Sequence, residues 1–250
     1  MEFVFNFFNF LKEKNFNLLD LIFPPTCIIC GKLNKNYICE NCEKRLDKYK
    51  SFNIIDNQKL IKDKLNIKSE NFRQKYYLYG NDKYYWEKLL YCFEYKGIIR
   101  TYMIKYKFNG EAYLSNFFAR QILKNKKASN ILKLYDIIIS VPMENNKKLK
   151  RGYNQTELIT KIIAKELGIL ENNNVLFKLK KIKTQSTLNK ENRKKNIKDA
   201  YFVNNNIDLK NKKVILLDDI YTTGATVNEI SLKLKEAGVK EILVLVIAKN

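Results

Sequence analysis

Val214-Ile-Leu-Leu-Asp-Asp-Ile-Tyr-Thr-Thr-Gly-Ala-Thr226 sets an apolar run directly against two adjacent carboxylates and a Thr- and Gly-containing turn. The run Val214–Leu217 suits a strand buried on both faces, and Val227–Glu236, stopped by Gly238, suits the helix that follows. Backbone N–H groups at such a helix start form an anion cradle. The helix dipole reinforces it, and the hydroxyls of Thr222, Thr223 and Thr226 add donors. Asp218 and Asp219 repel a phosphate and so need another task. Two acceptors at a strand end take the hydrogens of a vicinal diol, or hold water around Mg²⁺. The acid pair with Thr222, Thr223, Gly224, Ala225 and Thr226 therefore reads a sugar carrying a phosphate at one end. The competing reading is an unrelated strand–turn–helix whose Asp and Thr only cap the helix. Neither G-x-G-x-x-G nor G-x-x-x-x-G-K-[ST] occurs in the chain.

Outward from this segment the pattern is one of strands alternating with helices. Leu89–Tyr95 reads as a strand closed by Lys96-Gly97. A helix from Ile98 ends at Asn109-Gly110, and a second covers Tyr113–Leu123. Asp136–Pro142 is an apolar strand entering a loop, and Thr156–Leu167 is a helix stopped by Gly168. Val175–Leu179 and Ala200–Val203 are short strands, and Glu241–Ala248 is a last apolar strand. Apolar strands alternating with helices predict an α/β fold with a mostly parallel sheet covered on both faces. Ligands in such sheets sit outside the carboxyl ends of the strands. That places a site after Leu217, after Val141 and around Tyr95.

Val214–Thr226 resembles the signature of type I phosphoribosyltransferases for 5-phosphoribosyl-1-diphosphate (PRPP): an apolar strand, an acidic pair, then a T-[ST]-G-x-T loop. Two basic stretches gain meaning beside it. Lys147–Gln155 follows the strand ending Val141-Pro142-Met143 and can hold a diphosphate, with Arg151 offering a fork of hydrogen bonds. The polar, basic stretch Lys180–Asn196, with Lys183, is either a loop that closes over the ligand or an exposed mobile one.

Four of the five cysteines form two C-x2-C pairs, Cys27/Cys30 and Cys39/Cys42, eight residues apart. Four thiolates at this spacing suit one tetrahedral Zn²⁺ with no position left for substrate, hence a structural site. A redox pair and an Fe–S cluster are the alternatives. Cys92 lies in an apolar strand and reads as core. The first 23 residues read as an amphipathic helix ended by Pro24-Pro25, with Phe3, Phe7, Phe10 and Leu11 near one face. They lack the basic start and cleavage site of a secretory signal, and the polar face is not rich in basic residues, as that of a membrane-surface helix is. No apolar run is long enough to cross a bilayer. A metal-type cysteine pattern without a signal points to a reducing cytoplasm. The expected organisation is thus helix 1–23, zinc module 24–46, linker or irregular extension 47–85, and an α/β domain 86–250.

The formal charge is +21, from 47 basic and 26 acidic residues, and permits a polyanion partner. Only six of the 47 are Arg, and the Lys excess is spread along the chain, so a solvated basic surface explains it equally.

Five stretches together resemble the ComF family of phosphoribosyltransferase-like competence proteins: LLDLIFPPTCIICG (18–31), YKGIIRTYMIKYKFNG (95–110), VPMENNKKLKRGYNQTELI (141–159), KTQSTLNKENRKKNIKDAYFV (183–203) and VILLDDIYTTGAT (214–226). The resemblance implies a four-cysteine zinc module before a type I phosphoribosyltransferase fold and a link to DNA uptake in natural transformation, and it implies no settled reaction. Where the family loop after Val-Pro often carries His and Arg, this chain has Glu144 and Lys147. It contains no His, which excludes any mechanism through imidazole. Two functions follow. One is phosphoribosyl transfer to an acceptor the sequence does not identify. The other is a non-catalytic phosphoribosyl sensor that handles single-stranded DNA, with Tyr and Phe as stacking platforms.

Overall fold

The computed structural model describes residues 26–27, 29–34, 38–57, 84–108, 110–178 and 200–250. They fall into two compact units, Met1–Lys48 and Tyr49–Asn250. The helix expected over 1–23 lies outside the described residues.

In the first unit an antiparallel bridge, Thr26 to Leu33, closes a tight turn, with Gly31 at φ +71°. Helix α1 (Glu40–Asp47) follows, with Glu40 and Glu43 in its first turn and Lys44 and Arg45 in its last, as the helix dipole favours.

The second unit is built on a six-stranded sheet. Its strands are β1 (Lys50–Asp56), β2 (Lys88–Glu94), β3 (Ile137–Ser140), β4 (Leu170–Glu171), β7 (Lys213–Tyr221) and β8 (Glu241–Lys249), in the spatial order β1-β2-β8-β7-β3-β4. Only the β1–β2 pair is antiparallel. A separate antiparallel pair joins β5 (Leu176–Lys178) to β6 (Tyr201–Val203). The helices are α2 (Gly97–Phe108), α3 (Leu114–Lys124), α4 (Lys126–Leu132), α5 (Asn145–Arg151), α6 (Gln155–Leu167) and α7 (Ala225–Glu236).

The centre of the sheet is apolar on both faces. Every residue from Ile242 to Ala248 of β8 is buried, as are Val214–Leu217 and Ile137–Ile139. On one face Leu89, Ile139, Val214, Leu216, Val244 and Val246 pack with Val227, Ile230 and Leu234 of α7. Burial of each such side chain stabilises the fold by about 1.5–3 kcal/mol. Rings from strand and helix meet elsewhere in the core: Phe93 of β2 lies edge-on to Phe118 of α3 at 6.4 Å, and Phe118 lies 5.6 Å from Tyr106 of α2. Cys92 is fully buried in β2, as its apolar setting implied.

Three expectations are revised. The stretch 47–85 is not wholly an irregular extension, because Lys50–Asp56 forms edge strand β1, paired to β2 from Asp56↔Lys88 to Lys50↔Phe93. The basic stretch after Pro142 is not a loop throughout. Asn145–Arg151 is helix α5, ended by Gly152 at φ +80°, whose N–H bonds Lys148 O at 2.7 Å. The strand expected over Val214–Leu217 runs on to Tyr221, because β8 continues to pair with it up to Tyr221↔Lys249.

Candidate functional site at the ends of β3 and β7

Chain direction singles out one crevice. From β3 the chain passes through α6 to β4 at one edge of the sheet, whereas from β7 it passes through α7 to β8 on the other side. The two crossovers diverge between β3 and β7, which is the switch point where an open parallel sheet leaves a cleft beyond its carboxyl ends. β3 ends at Ser140, opposite Leu217, and the last bond across is Val141 N–H to Leu217 O at 2.9 Å. Asp218 is the first residue of β7 beyond that edge, so the acid pair overhangs the cleft.

The two carboxylates are held differently. Asp218 accepts the Asp219 backbone N–H at 2.8 Å. Burial, and after it the neighbouring Asp219 charge, pushes its carboxyl up to about 7, against the pull of that N–H and of the Lys107 and Lys178 ammonium groups. Asp219 forms an ion pair with Lys107 of α2, Nζ to Oδ2 at 2.9 Å, with both side chains about one-fifth exposed. Lys178 of β5 stands over the Tyr201 ring at 5.8 Å. Burial, then Lys147, holds its ammonium below the usual value, while Glu144 and Asp218 act the other way. Tyr201 of β6 is raised by burial and by the Asp218 charge, and its hydroxyl hydrogen-bonds the Thr226 side chain.

The turn after the acid pair has the form the sequence suggested. Gly224 is the N-cap of α7 at φ +74°, a conformation costly for any residue with a Cβ, and a Cβ here would run into the Tyr221 ring. The Thr223 hydroxyl accepts the Ala225 N–H at 3.4 Å, and the first-turn amides of α7 have no carbonyl partner within the helix. Asp218, Asp219 and the Thr222–Thr226 turn are thus brought together at one strand end. On the β3 side Asn154 caps α6, accepting the Thr156 N–H at 3.2 Å while its own Nδ2 donates to Val141 O at 3.2 Å. This fixes the helix start against the strand end.

Arg151, the last residue of α5, belongs to the same cluster. Its guanidinium lies 5.4 Å from the centroid of the Phe108 ring. Burial lowers its pKa, while Asp219, Tyr153 and Tyr106 raise it. Tyr153 Oη donates to Tyr106 O at 2.9 Å and Tyr106 Oη to Gln155 O at 2.7 Å, joining the last turn of α2 to the turn after α5 and to the start of α6. Lys183, with the stretch 180–196, lies outside the described residues.

In the first unit the ligand atoms of Cys27, Cys30, Cys39 and Cys42 all lie within 4.8 Å of one another. The Cys30 and Cys39 sulfurs are 3.8 Å apart, close to the edge of about 3.8 Å that Zn–S bonds of about 2.3 Å give a tetrahedron. The Cys39 N–H donates to Cys27 Sγ at 3.4 Å and the Gly31 N–H to Cys27 O at 2.7 Å, the backbone support usual around a thiolate ligand. These four residues fit a structural Zn²⁺.

Residues 157–250 match the phosphoribosyl transferase domain family and residues 18–51 the double zinc ribbon domain family. Competence protein F of Haemophilus influenzae is 32% identical over 164 residues, covering 64% of this chain and 71% of that protein. The chain belongs to the ComF family. Other relatives include DNA utilization protein YhgH of Salmonella typhimurium, 27% identical over 64% of this chain and 70% of that protein. Competence protein ComFC of Streptococcus pneumoniae is 28% identical over 60% of this chain and 63% of that protein. The fold is accordingly a phosphoribosyltransferase-type sheet preceded by a four-cysteine zinc ribbon. This ComF chain has cysteines for one four-thiolate site, since its fifth, Cys92, is buried in β2. Among the described residues no helix is long and apolar enough to cross a membrane.

Sequence reasoning missed Lys107, Lys178 and Tyr201. Lys107 lies within a stretch that carries the family resemblance, but its pairing with a carboxylate 112 positions away has no local signal. Lys178 and Tyr201 reach the acid pair only because β5 and β6 pair with each other.

Proposed function

We propose that the chain binds a 5-phosphoribosyl compound, PRPP above all, in the cleft beyond β3 and β7. The observation that carries this is the acid pair overhanging the switch-point cleft, followed at once by the Gly224-capped start of α7. Asp218 and Asp219 take the two ribose hydroxyls, and Thr222, Thr223, Gly224, Ala225 and Thr226 take the 5-phosphate. Mg²⁺ fits beside the same carboxylates. Bound there, the ion would offset the negative charge of the diphosphate.

Arg151, Lys178 and Lys183 supply positive charge for the diphosphate. Transfer then forms a bond from an acceptor nucleophile to ribose C1 as the C1–O bond breaks. Its electron pair leaves with the diphosphate, and the acceptor loses its proton. Positioning and fixed charge carry such a step. On this reading the reaction serves DNA uptake or use, with DNA-uptake proteins as partners, in keeping with the relatives' names, competence protein and DNA utilization protein.

The thermal midpoint should rise when PRPP and Mg²⁺ are added, and the rise should vanish in Asp218→Asn/Asp219→Asn. A wild-type protein indifferent to PRPP would end this reading. The net charge of +21 favours a second one, in which the same pocket is a sensor on a protein that binds single-stranded DNA. Steeply salt-dependent DNA binding, with no diphosphate released from PRPP by any acceptor, would select it.

A further inference from the structure

The phosphoribosyl reading leaves Phe108 unexplained. Its side chain is 72% exposed although it ends α2 next to Lys107, the partner of Asp219. Single exposed apolar side chains are ordinary, but this one is held in place. The preceding residue, Lys107, is anchored to Asp219, and the Arg151 guanidinium stands over the ring at 5.4 Å. The Tyr153–Tyr106–Gln155 hydrogen bonds tie the last turn of α2, which carries Phe108, to the turn that follows Arg151. A phenyl ring exposed to solvent thus lies against a guanidinium that feels the Asp219 charge, and next in sequence to the lysine that pairs with Asp219. They come from α2 and α5, not from the phosphate loop.

We propose that Phe108 and Arg151 form a stacking platform for a flat aromatic heterocycle at ribose C1, the acceptor before transfer and the attached group after it. This rests on the phosphoribosyl reading. If Asp218 and Asp219 hold the ribose diol and the Thr222–Thr226 turn holds the 5-phosphate, the C1 substituent emerges next to the carboxylates. Phe108 follows Lys107, which pairs with one of them, and lies against Arg151. Stacking suits this position because every such heterocycle has a π face to offer and needs no hydrogen-bond code. Arg151, its guanidinium 5.4 Å from the Phe108 centroid, adds a cation to the platform.

The test compares two ligands with Mg²⁺ present, ribose 5-phosphate and a 5′-mononucleotide, by calorimetric titration of the full-length protein. The wild type should bind the mononucleotide about five- to a hundredfold more tightly, the range of a single base–aromatic stack. Phe108→Ala should erase most of that advantage and leave ribose 5-phosphate binding unchanged, while Phe108→Tyr should restore it. The exposed position lets the variants fold, which equal thermal midpoints would verify. Equal wild-type affinity for the two ligands overturns the platform and leaves the phosphoribosyl reading standing. So does a Phe108→Ala loss shared equally by both. No binding of ribose 5-phosphate or PRPP strikes the underlying reading itself. Loss of affinity for a single-stranded oligonucleotide alone, in Phe108→Ala, assigns the ring to DNA and overturns the proposal.

Discussion

Lys107 Nζ lies 2.9 Å from Asp219 Oδ2, so the last turn of α2 neutralises one of the two adjacent carboxylates at the end of β7. Without that ammonium group Asp219 loses its ion-pair partner beside the carboxylate of Asp218. Lys107→Met should therefore destabilise the protein by about 1–2 kcal/mol, between the values of exposed and buried pairs. Asp219→Asn in the same chain should recover most of the loss. Urea titration of the two single variants and the double variant measures this coupling. The same substitution should move the Asp218 titration further upward, since Lys107 is one of the groups holding it down. Carbon NMR of the Asp carboxyls reads that shift.

Asp218 itself predicts a pH dependence. Its folded pKa, about 7, lies above the unfolded aspartate value of about 3.9. Between those values the folded state binds the extra proton, so the stability this group contributes is complete below about pH 4 and is lost as pH rises through about 7. The slope in that window is at most about 1.4 kcal/mol per pH unit. Asp218→Asn, which cannot ionise, should flatten it. Chemical denaturation of the ligand-free protein from pH 5 to 8 is the measurement, and parallel curves for wild type and variant would contradict it.

What was legible in the sequence is what is encoded locally. The two C-x2-C pairs lie sixteen residues end to end, and the acid pair and its turn are contiguous, so each site's core could be named from residue type and spacing. The apolar strands declared themselves because β8 and the first half of β7 are buried on both faces. Non-local pairing hid the rest. Lys50–Asp56 is only half-buried and pairs with a strand more than thirty residues on, so nothing in Lys-Ser-Phe-Asn-Ile-Ile-Asp marks it as β1. β7 continues through two aspartates only because β8 is there to pair with it. Lys107 and Arg151 come together at Asp219 from opposite ends of a long intervening chain. The Lys-rich run after Pro142 read as a loop because charge obscured the helix that Gly152 ends.

Gly224 offers a test of the proposed phosphate turn. Its φ of +74° and the Tyr221 ring beneath it leave no room for a methyl group. Gly224→Ala should lower stability by about 1–3 kcal/mol, the range of a strained left-handed residue. It should also weaken PRPP binding by at least tenfold. Gly152→Ala is the control: its φ is similarly positive, but a Cβ there meets open space, so it should cost backbone strain only and spare the ligand. Denaturation and titration of both variants distinguish strain from loss of the cradle.

Metal removal should unfold the first unit selectively. Helix α1 has eight residues, too few to persist alone in water. Its N-cap, Cys39, makes no side-chain capping bond, so the thiols of Cys39 and Cys42 are what tie its start to the Cys27–Cys30 turn. The protein should carry one Zn²⁺ per chain, and Cys30→Ser should lose it. A chelator should abolish hydrogen-exchange protection at the Glu43 N–H, which bonds Cys39 O at 2.9 Å. The amides of β7 and β8 should stay protected, because their core contains no metal ligand. Protection of Glu43 that survives complete zinc removal would show that α1 is held by packing and not by the four thiolates.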